Sequence, residues 1–284
     1  MKCVAIIVLY NPDLNRLYEN VNAIYKQVDE VLMLDNGSDD TKAIDDFISN
    51  NEFKNVRVEH FYENKGIAYA LRIGTEWASD IGAEWVLSLD QDSVSDSELV
   101  KNYIKYIDIE NLGALTCVVD DRNADKTTYD TNETNEPIDV DICLTSGFFM
   151  SVKAYNNTDG YTDRMFIDKV DFDICLSLKD AGYRIVRIPY IGLLHELGRI
   201  TIGRLLGKDV MVTNHPAWRQ YYMARNGVIL YKRHPKRYTL KQCLVTEFKE
   251  LFFSVCLEKN KISKFWMRIK GFCAGLVYKL DAEG

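Results

Sequence analysis

The 284-residue sequence contains only 5 prolines and no apolar stretch long enough to cross a membrane. No run of eighteen apolar residues occurs, and the apolar segment 4–10 is too short for a signal peptide or a membrane span. We therefore expect no transmembrane helix. With 47% hydrophobic and 27% charged residues, the composition is typical of a folded protein with a substantial core.

The sequence also lacks a cysteine framework and a glycine-rich phosphate loop. Its 7 cysteines are dispersed without a Cys-x-x-Cys pair, which argues against a disulfide scaffold and favours a reducing, cytoplasmic compartment. Neither G-x-G-x-x-G nor G-x-x-x-x-G-K occurs, so no loop of that kind is expected to bind phosphates. We find no internal repeat and no low-complexity segment.

Charge is distributed unevenly along the chain. Residues 1–198 carry 18 positive and 36 negative side chains, whereas residues 199–284 carry 17 positive and 6 negative ones. The basic C-terminal segment indicates an anionic partner for that segment, and the alternative interpretation is a set of solvated helix faces. Nucleic acid is not expected as a partner, because the acidic body would repel it.

The first ninety residues alternate between strand and helix patterns. Continuous apolar runs predict strands at 4–10, 30–34, 56–61 and 85–89, and helical spacing predicts helices at 14–27, 41–49 and 67–81. This order predicts a parallel sheet with right-handed crossovers. Ligands bind at the carboxyl ends of such strands, where polar clusters follow each run.

The later pattern is mixed. We predict a strand at 112–119, a polar loop at 120–136, and a strand within 140–152 that is interrupted at 145–147. A helix at 170–180 and a short strand at 184–188 follow, and from about residue 200 the chain is predicted to form helices with basic faces.

The most informative element is Asp90-Gln91-Asp92, directly after the fourth predicted strand. Two carboxylates at a strand exit are poorly explained by packing, since charges require partners or water. Divalent cations often bind through a few carboxylates together with substrate phosphates. The motif therefore predicts a metal site that binds a diphosphate.

Together with other segments, this motif resembles family 2 glycosyltransferases with a GT-A fold, most closely the bacterial rhamnosyltransferase-type members. The matching stretches are VLYNP (8–12), LDNGSDD (34–40), NKGIAYA (64–70), LSLDQDS (87–93), TSGFFMS (145–151), FIDKVDFDICLSLKDAGY (166–183), LLHELG (193–198) and YYMARN (221–226). The resemblance implies an α/β fold with a mixed, mainly parallel sheet over residues 1–200, followed by a helical C-terminal region over 201–284.

The resemblance also implies the reaction: inverting, metal-dependent transfer of a sugar, rhamnose from dTDP-rhamnose, to a growing cell-surface glycan. Asp171 is the expected general base, although Val170 stands where many relatives have an acid. Asp168 and Asp173 are expected to be structural. Asp92 and His195 are the expected ligands of Mn²⁺ or Mg²⁺. The expected nucleotide-sugar contacts are Tyr10, Asn11, Asp35, Asn36, Lys65, Gly66, Asp90, Gln91, Gly147 and Arg225.

The C-terminal segment 247–279 interleaves aromatic and basic residues at helical spacing. This pattern favours a helix lying on an anionic lipid surface, which would place a cytoplasmic enzyme on the inner face of the plasma membrane. A lid packed on the catalytic domain is the alternative.

Three other functions remain open at this point. The first is a glycosyltransferase of the same fold that uses a UDP-sugar as its donor. A nucleotidylyltransferase would also use a parallel sheet and acidic metal ligands, but it usually has a glycine-rich basic loop where Tyr10-Asn11-Pro12 stands here. A binding module without catalytic activity is the third possibility.

Overall fold

The computed structural model describes residues 1–122, 135–195, 201–205, 208–212 and 214–280. The chain forms two compact units, one made of 1–164 and 174–196 and the other of 165–173 and 197–284. The predicted domain division at residue 200 stays a prediction. Most of the predicted polar loop at 120–136 lies outside the described residues.

A mixed sheet forms the centre of the first unit. Its strands are β1 (Cys3–Leu9), β2 (Glu30–Asp35), β3 (Val56–His60), β4 (Trp85–Asp90), β5 (Val94–Ser95), β6 (Leu112–Asp121), β7 (Ile138–Asp139), β8 (Phe148–Ser151) and β9 (Arg184–His195). The strand order is β3-β2-β1-β4-β8-β6-β9-β5, with β7 paired to β9. The longer pairings, β1 with β2 and β4, β2 with β3, and β6 with β9, are parallel. The predicted mixed, mainly parallel sheet is confirmed.

Helices pack beside this sheet. They are α1 (Leu14–Ile24), α2 (Thr41–Asn50), α3 (Ile67–Asp80), α4 (Leu99–Ile104) and α5 (Val152–Tyr155). A further helix, α6 (Val170–Asp180), belongs to the second unit up to Asp173 and to the first unit from Ile174. Asp13 and Asp40 cap α1 and α2 through their carboxylates, which accept backbone N–H groups left unpaired at a helix start. The predicted helices at 14–27, 41–49, 67–81 and 170–180 are therefore present, with small changes at their ends.

The strand register aligns the polar residues at one edge of the sheet. Leu9 lies opposite Asp35, and Val8 lies opposite Asp90. Upstream of this edge, β1 and β4 are buried along almost their whole length, because both faces of the sheet are covered. The core includes a stack of Trp85, Phe149 and Tyr103, whose successive ring centroids lie 4.9 and 5.2 Å apart.

Two predictions for the first unit were wrong in extent. No strand forms around Cys143, and the strand after the 145–147 turn begins at Phe148. The strand predicted at 184–188 continues to His195. Pro189 lies within the strand where the pairing of β6 with β9 is irregular, and a bulge tolerates a residue without an N–H.

The second unit contains a hairpin that the sequence did not predict. The strands β10 (Thr201–Leu205) and β11 (Lys208–Val212) pair antiparallel, and α7 (Ala217–Arg233), α8 (Leu240–Leu257) and α9 (Lys261–Val277) follow. The predicted helices from residue 200 therefore start at Ala217.

Glycines bring α9 close to α7. A Cβ at Gly271 would lie 2.0 Å from the carbonyl oxygen of Tyr221, and one at Gly275 would lie 2.7 Å from that of Arg225. Any larger residue at either position would push the two helix backbones apart.

Candidate functional site

Two carboxylates and an imidazole meet at one edge of the sheet. Asp90 ends β4, Asp92 follows two residues later, and His195 ends β9. His195 Nε2 lies 3.9 Å from Asp90 Oδ2, and Nδ1 lies 3.8 Å from Asp92 Oδ1. One ligand atom from each of the three residues lies within 4.8 Å of the others. The structure thus brings the two expected metal ligands, Asp92 and His195, together with Asp90, which the sequence analysis expected to contact the nucleotide-sugar.

A short strand produces this meeting. Directly after Asp92, β5 pairs antiparallel with the end of β9, with Val94 opposite Leu194 and Ser95 opposite Leu193. This pairing places His195 beside Asp92 although about a hundred residues separate them in the chain. Sequence periodicity gave no sign of β5, because it contains only two residues.

Two serines orient the histidine. Ser93 Oγ lies 2.7 Å from His195 Nδ1, and Ser146 Oγ donates to Ser93 Oγ at 2.8 Å. The Asp90 N–H in turn donates to Ser146 Oγ at 3.0 Å. A proton on Nδ1, shared with Ser93, leaves the Nε2 lone pair on the Asp90 side, as a metal-ligating tautomer requires. Ser93 was missed because a lone serine after an aspartate carries no signal in the sequence.

The donor set fits a divalent cation. His195 is buried, whereas Asp90 and Asp92 keep 49% and 37% of their side-chain surface accessible, so a ligand from solvent can reach the carboxylates. The pKa of Asp90 is raised: partial loss of hydration and the Asp92 carboxylate raise it, and the His195 imidazole opposes them. A cation would relieve the repulsion between the two carboxylates, and oxygen ligands with one imidazole suit Mn²⁺.

Asp35 lies at the same edge but is turned inward. It is fully buried; Oδ1 accepts the Ser38 N–H at 3.0 Å, and Oδ2 lies 2.7 Å from His60 Nδ1. His60 Nε2 lies 3.2 Å from Asp45 Oδ1. Burial lowers the pKa of His60, but the bonds to Asp35 and Asp45 more than offset this, and the net shift is upward. The nucleotide-sugar contact expected of Asp35 stays a prediction.

His60 was missed in the sequence. It ends β3 and is the register partner of Asp35, which ends β2. A histidine at the carboxyl end of a predicted parallel strand, one strand away from an aspartate at the same level, is the signal that would have identified it.

The loop after β1 is hydrogen-bonded to the Asp90-Gln91-Asp92 turn. The Tyr10 N–H donates to Gln91 Oε1 at 2.8 Å, and Gln91 Nε2 donates to the Tyr10 carbonyl at 3.2 Å. Asn11, at φ +46°, exchanges hydrogen bonds with Asp39 and donates its N–H to Ser38. Gln91 therefore fixes the backbone, while the ring of Tyr10 is half exposed.

The loops after β2 and β3 are joined by amide contacts. Asn36 Oδ1 accepts the Lys65 N–H at 2.9 Å, and Asn64 Oδ1 accepts both the Asn36 amide and the Gly66 N–H. Gly37 sits at φ +83°, where a Cβ would meet the Glu63 backbone at 2.4 Å. The predicted contacts Asn36, Lys65 and Gly66 thus belong to one rigid double loop.

Gly147 lies beside the site, directly after Ser146 in the chain. It adopts φ +76°, its N–H donates to the Ser88 carbonyl at 2.9 Å, and its carbonyl accepts from the Tyr103 hydroxyl at 2.6 Å. These bonds fix the turn that presents Ser146. The close approach that glycine allows here is to the Leu193 side chain, 3.2 Å from a built Cβ.

The second unit contains the three aspartates of the 168–173 segment. Asp168 accepts from Arg219, and Asp173 accepts from Arg233 and His234, so both have basic partners, as expected of structural residues. Asp171 accepts only the Phe172 N–H at 2.9 Å among its described hydrogen bonds. Burial raises the pKa of Asp171 to about 6, although the Phe172 N–H and Lys169 oppose the shift.

Arg225 also lies in the second unit, on α7. Its Nε donates to Asn226 Oδ1 at 3.1 Å, and its guanidinium lies 4.9 Å from the ring centroid of Tyr222. The phosphate contact expected of Arg225 stays a prediction.

Comparison with known proteins assigns the chain to a family. The family described as Glycosyl transferase family 2 matches residues 4–172, more than half of the chain. The chain is 27% identical over 280 residues to the dTDP-rhamnosyl transferase RfbF of Shigella flexneri, covering 91% of this chain and 90% of that protein.

Solved structures share the fold. TarS 1-349 of S. aureus in complex with UDP-GlcNAc superposes with a TM-score of 0.66 at 15% identity, covering 95% of this chain and 79% of that one. GalNAc-T7 with UDP, GalNAc and Mn²⁺ gives a TM-score of 0.64 at 14% identity, covering 90% of this chain and 50% of that one. The chain spans 44% of the longer TarS structure. These likenesses concern the fold, and the predicted GT-A architecture is confirmed.

The family match, the likeness to a rhamnosyl transferase along nearly the whole chain, and the shared fold lead to one conclusion: the chain belongs to glycosyl transferase family 2 and is a glycosyltransferase.

Proposed function

We propose that the protein transfers rhamnose from dTDP-rhamnose, with inversion, to a growing glycan of a cell-surface polysaccharide. The group formed by Asp90, Asp92 and His195 at the strand ends carries this proposal, because family 2 membership supplies a sugar donor with a diphosphate. The similarity to a dTDP-rhamnosyl transferase over 91% of the chain supports the donor. A UDP-sugar is the second candidate, since TarS shares the fold and its structure contains UDP-GlcNAc.

Asp92 and His195 would hold a divalent cation, with Asp90 beside them. When bound, the cation supplies positive charge that stabilises the departing diphosphate. Ser93 and Ser146 keep the imidazole oriented, and the locked loop around Gln91 keeps Tyr10 and Asn11 in place for the nucleoside. These residues are arranged before the donor arrives, which avoids a cost of ordering them.

Asp171 takes the proton of the acceptor hydroxyl. The hydroxyl oxygen forms a bond to the anomeric carbon while the bond from that carbon to the diphosphate oxygen breaks, and dTDP leaves. A carboxyl with a pKa of about 6 is ionised at neutral pH and is a stronger base than an ordinary aspartate. Asp171 suits this role better than Asp168 or Asp173, whose carboxylates are bound to arginines.

The donor is tested by thermal shift with dTDP-rhamnose, dTDP, UDP-GlcNAc and UDP, each with and without Mn²⁺. Donor binding to the native state raises its melting temperature. We expect the dTDP compounds to raise it in the presence of Mn²⁺ and Asp92→Asn to abolish this increase. A shift with UDP-GlcNAc alone would refute the dTDP donor. Inversion is tested by the anomeric configuration of the product in NMR spectra.

We further propose that α8 and α9 dock on an anionic lipid surface. Several large apolar side chains on the two helices are exposed: Leu244, Val245, Phe248, Phe252, Val255, Ile262, Trp266, Leu276 and Val277. Lysines at 241, 249, 261 and 270 are exposed among them. Apolar side chains mixed with lysines suit the boundary between headgroups and acyl chains.

The acidic residues of these helices support the lipid occupant. α9 has none, and of the two on α8, Glu247 is buried against Arg268 while Glu250 is half-buried. The exposed charges among the apolar residues are therefore mainly positive. Among the described residues, no helix combines the length and apolar character needed to cross a membrane.

Vesicle flotation tests this surface. We expect the protein to float with phosphatidylglycerol vesicles and not with phosphatidylcholine vesicles, and Phe248→Glu with Trp266→Glu to abolish flotation. Ile104→Glu, an exposed apolar residue on α4, is the control and should still float. Failure of the unchanged protein to float would refute the lipid proposal, and a concentration-dependent dimer lost in the double variant would identify a second copy as the occupant instead.

A further inference from the structure

The backbone just before α6 is strained. Asp168 adopts φ +69° and Lys169 adopts φ +65°, and α6 begins at Val170. Residues with a Cβ rarely occupy the left-handed region, and two in succession persist only where surrounding contacts hold them. The segment ends one turn later at Asp173, with Asp171 in between.

Helix α7 supplies the contacts that hold this backbone. Asn226, which is fully buried, donates from Nδ2 to the carbonyls of Ile167 at 2.7 Å and Asp168 at 2.9 Å. Arg219, in the first turn of α7, forms a fork on the Asp168 carboxylate, with Nη2 2.8 Å from Oδ1 and Nε 3.0 Å from Oδ2. The peptide carbonyls and the side chain at the left-handed turn are therefore all bound to one helix.

The other end of the segment is bound to the same helix. Asp173 accepts from Arg233 Nε at 2.8 Å, and His234, which caps α7, lies 3.0 Å away through Nε2. The Asp173 N–H donates to the Lys169 carbonyl at 2.9 Å, which closes the first turn of α6. Asp171 thus lies between two attachment points and makes no ion pair among the described residues.

We propose that Asn226 and Arg219 are positioning residues that set the orientation of Asp171 for proton abstraction. The inference rests on the proposed role of Asp171 as the base. Neither residue is required to touch the donor or the acceptor; they act by keeping 167–169 in a conformation that it would otherwise leave. A displacement of about 1 Å in a catalytic group lowers the rate by about a hundredfold.

The test compares Arg219→Ala and Asn226→Ala with Arg184→Ala. Arg184 forms a similar but more exposed fork on Asp139, at the opposite end of β9 from His195, so its replacement removes an arginine fork away from the site. Release of nucleoside diphosphate from the sugar donor is measured together with the melting temperature. We expect kcat to fall about 10- to 100-fold in the first two variants, with the donor KM changed less than about twofold. Arg184→Ala should retain its kcat.

A rescue variant separates positioning from general destabilisation. Glycine occupies the left-handed region without penalty, so Lys169→Gly lowers the cost of the turn that Arg219 stabilises. In the Arg219→Ala background, Lys169→Gly should restore kcat several-fold. If Asn226→Ala does not fold, the partly exposed Arg219 still provides the test.

The experiment distinguishes failure of the positioning role from failure of Asp171 as the base. If Asp171→Asn is inactive while Arg219→Ala keeps the kcat of Arg184→Ala, the positioning role is refuted and the base assignment stands. A kcat that falls only with the folded fraction, without rescue by Lys169→Gly, also refutes it. If Asp171→Asn turns over at the original rate, the assignment of Asp171 as the base is refuted, and the positioning role of Asn226 and Arg219 is refuted with it.

Discussion

Two strand-end carboxylates of the first unit and four carboxylates of the second differ in the partners they have. In the first, Asp90 and Asp92 stand at strand ends, partly accessible, with only an imidazole beside them. In the second, Asp168, Asp173, Glu247 and Glu258 are each bound by arginine or lysine. A carboxylate paired with a protein cation has its charge compensated within the fold, whereas one that lacks such a cation is available to a metal or a substrate. Asp171, in the same unit, makes no ion pair among the described residues.

Replacement of a carboxylate in the first unit should have the largest effect on activity. Asp92→Asn is expected to lower transfer about a thousandfold, because a neutral amide cannot hold the cation that stabilises the diphosphate. Its melting temperature without metal should be unchanged or higher, since repulsion with Asp90 is removed. Donor turnover and Mn²⁺ titration measure this, with the exposed Asp80→Asn as control. Equal activity of the two variants would contradict the metal site.

Asp171→Asn should lower kcat by about a hundred- to a thousandfold while donor binding survives. The expected effect on stability is favourable. Because the folded-state pKa of about 6 exceeds the unfolded value, the ionised carboxylate destabilises the fold above pH 6, and protonation relieves this as the pH falls. The variant should gain up to about 3 kcal/mol at pH 8 and nothing below about pH 4. Urea unfolding at both pH values measures it.

The same pKa predicts the pH dependence of the unchanged enzyme. Proton abstraction requires the ionised carboxylate, so kcat/KM should fall about tenfold per pH unit as the pH drops below 6. A rate that is constant down to pH 5 would exclude Asp171 as the base.

Asp173→Asn should lower the unfolding free energy, whereas Asp171→Asn should raise it. Its carboxylate is buried between Arg233 and His234, so its loss leaves uncompensated positive charge inside the protein. We expect a loss of about 3 kcal/mol in unfolding free energy. Urea unfolding of the two variants side by side measures the difference, and a stabilising Asp173→Asn would contradict the distinction between bound and available carboxylates.

The smallest expected effect comes from Ser93→Ala. Losing the partner of His195 Nδ1 should weaken Mn²⁺ binding about tenfold, because the imidazole is no longer held in the ligating tautomer. Titration of the melting temperature with Mn²⁺ measures it, with Ser49→Ala on the surface of α2 as control.

Much of the fold could be predicted where local patterns are strong. The buried runs that form β1, β2 and β4 and the apolar spacing of α1 to α3 are visible in the sequence. The hairpin of β10 and β11 was missed and β9 was predicted too short, because apolar and polar residues do not alternate clearly along these strands. Their formation depends on partners elsewhere in the chain.

The residues of the candidate site show the same division between local patterns and contacts with distant residues. Asp90, Asp92, Asp171 and His195 were identified by residue type and by resemblance, whereas Ser93, His60 and Asn226 were not. Each of the missed residues acts through a neighbour that is distant in sequence: Ser93 through His195, His60 through Asp35, and Asn226 through the 167–168 carbonyls. Such pairs leave no local pattern.

The sequence by itself determined the alternation of strands and helices, the acidic residues at the strand ends and the membership of a sugar-transferring family. Only the tertiary structure decided which of those acids are bound by arginines, where His195 meets Asp92 and which helix holds the turn before Asp171. The physical reason is that local periodicity is set by neighbours a few residues apart. A charge becomes structural or available only when strands and helices far apart in the chain are packed together.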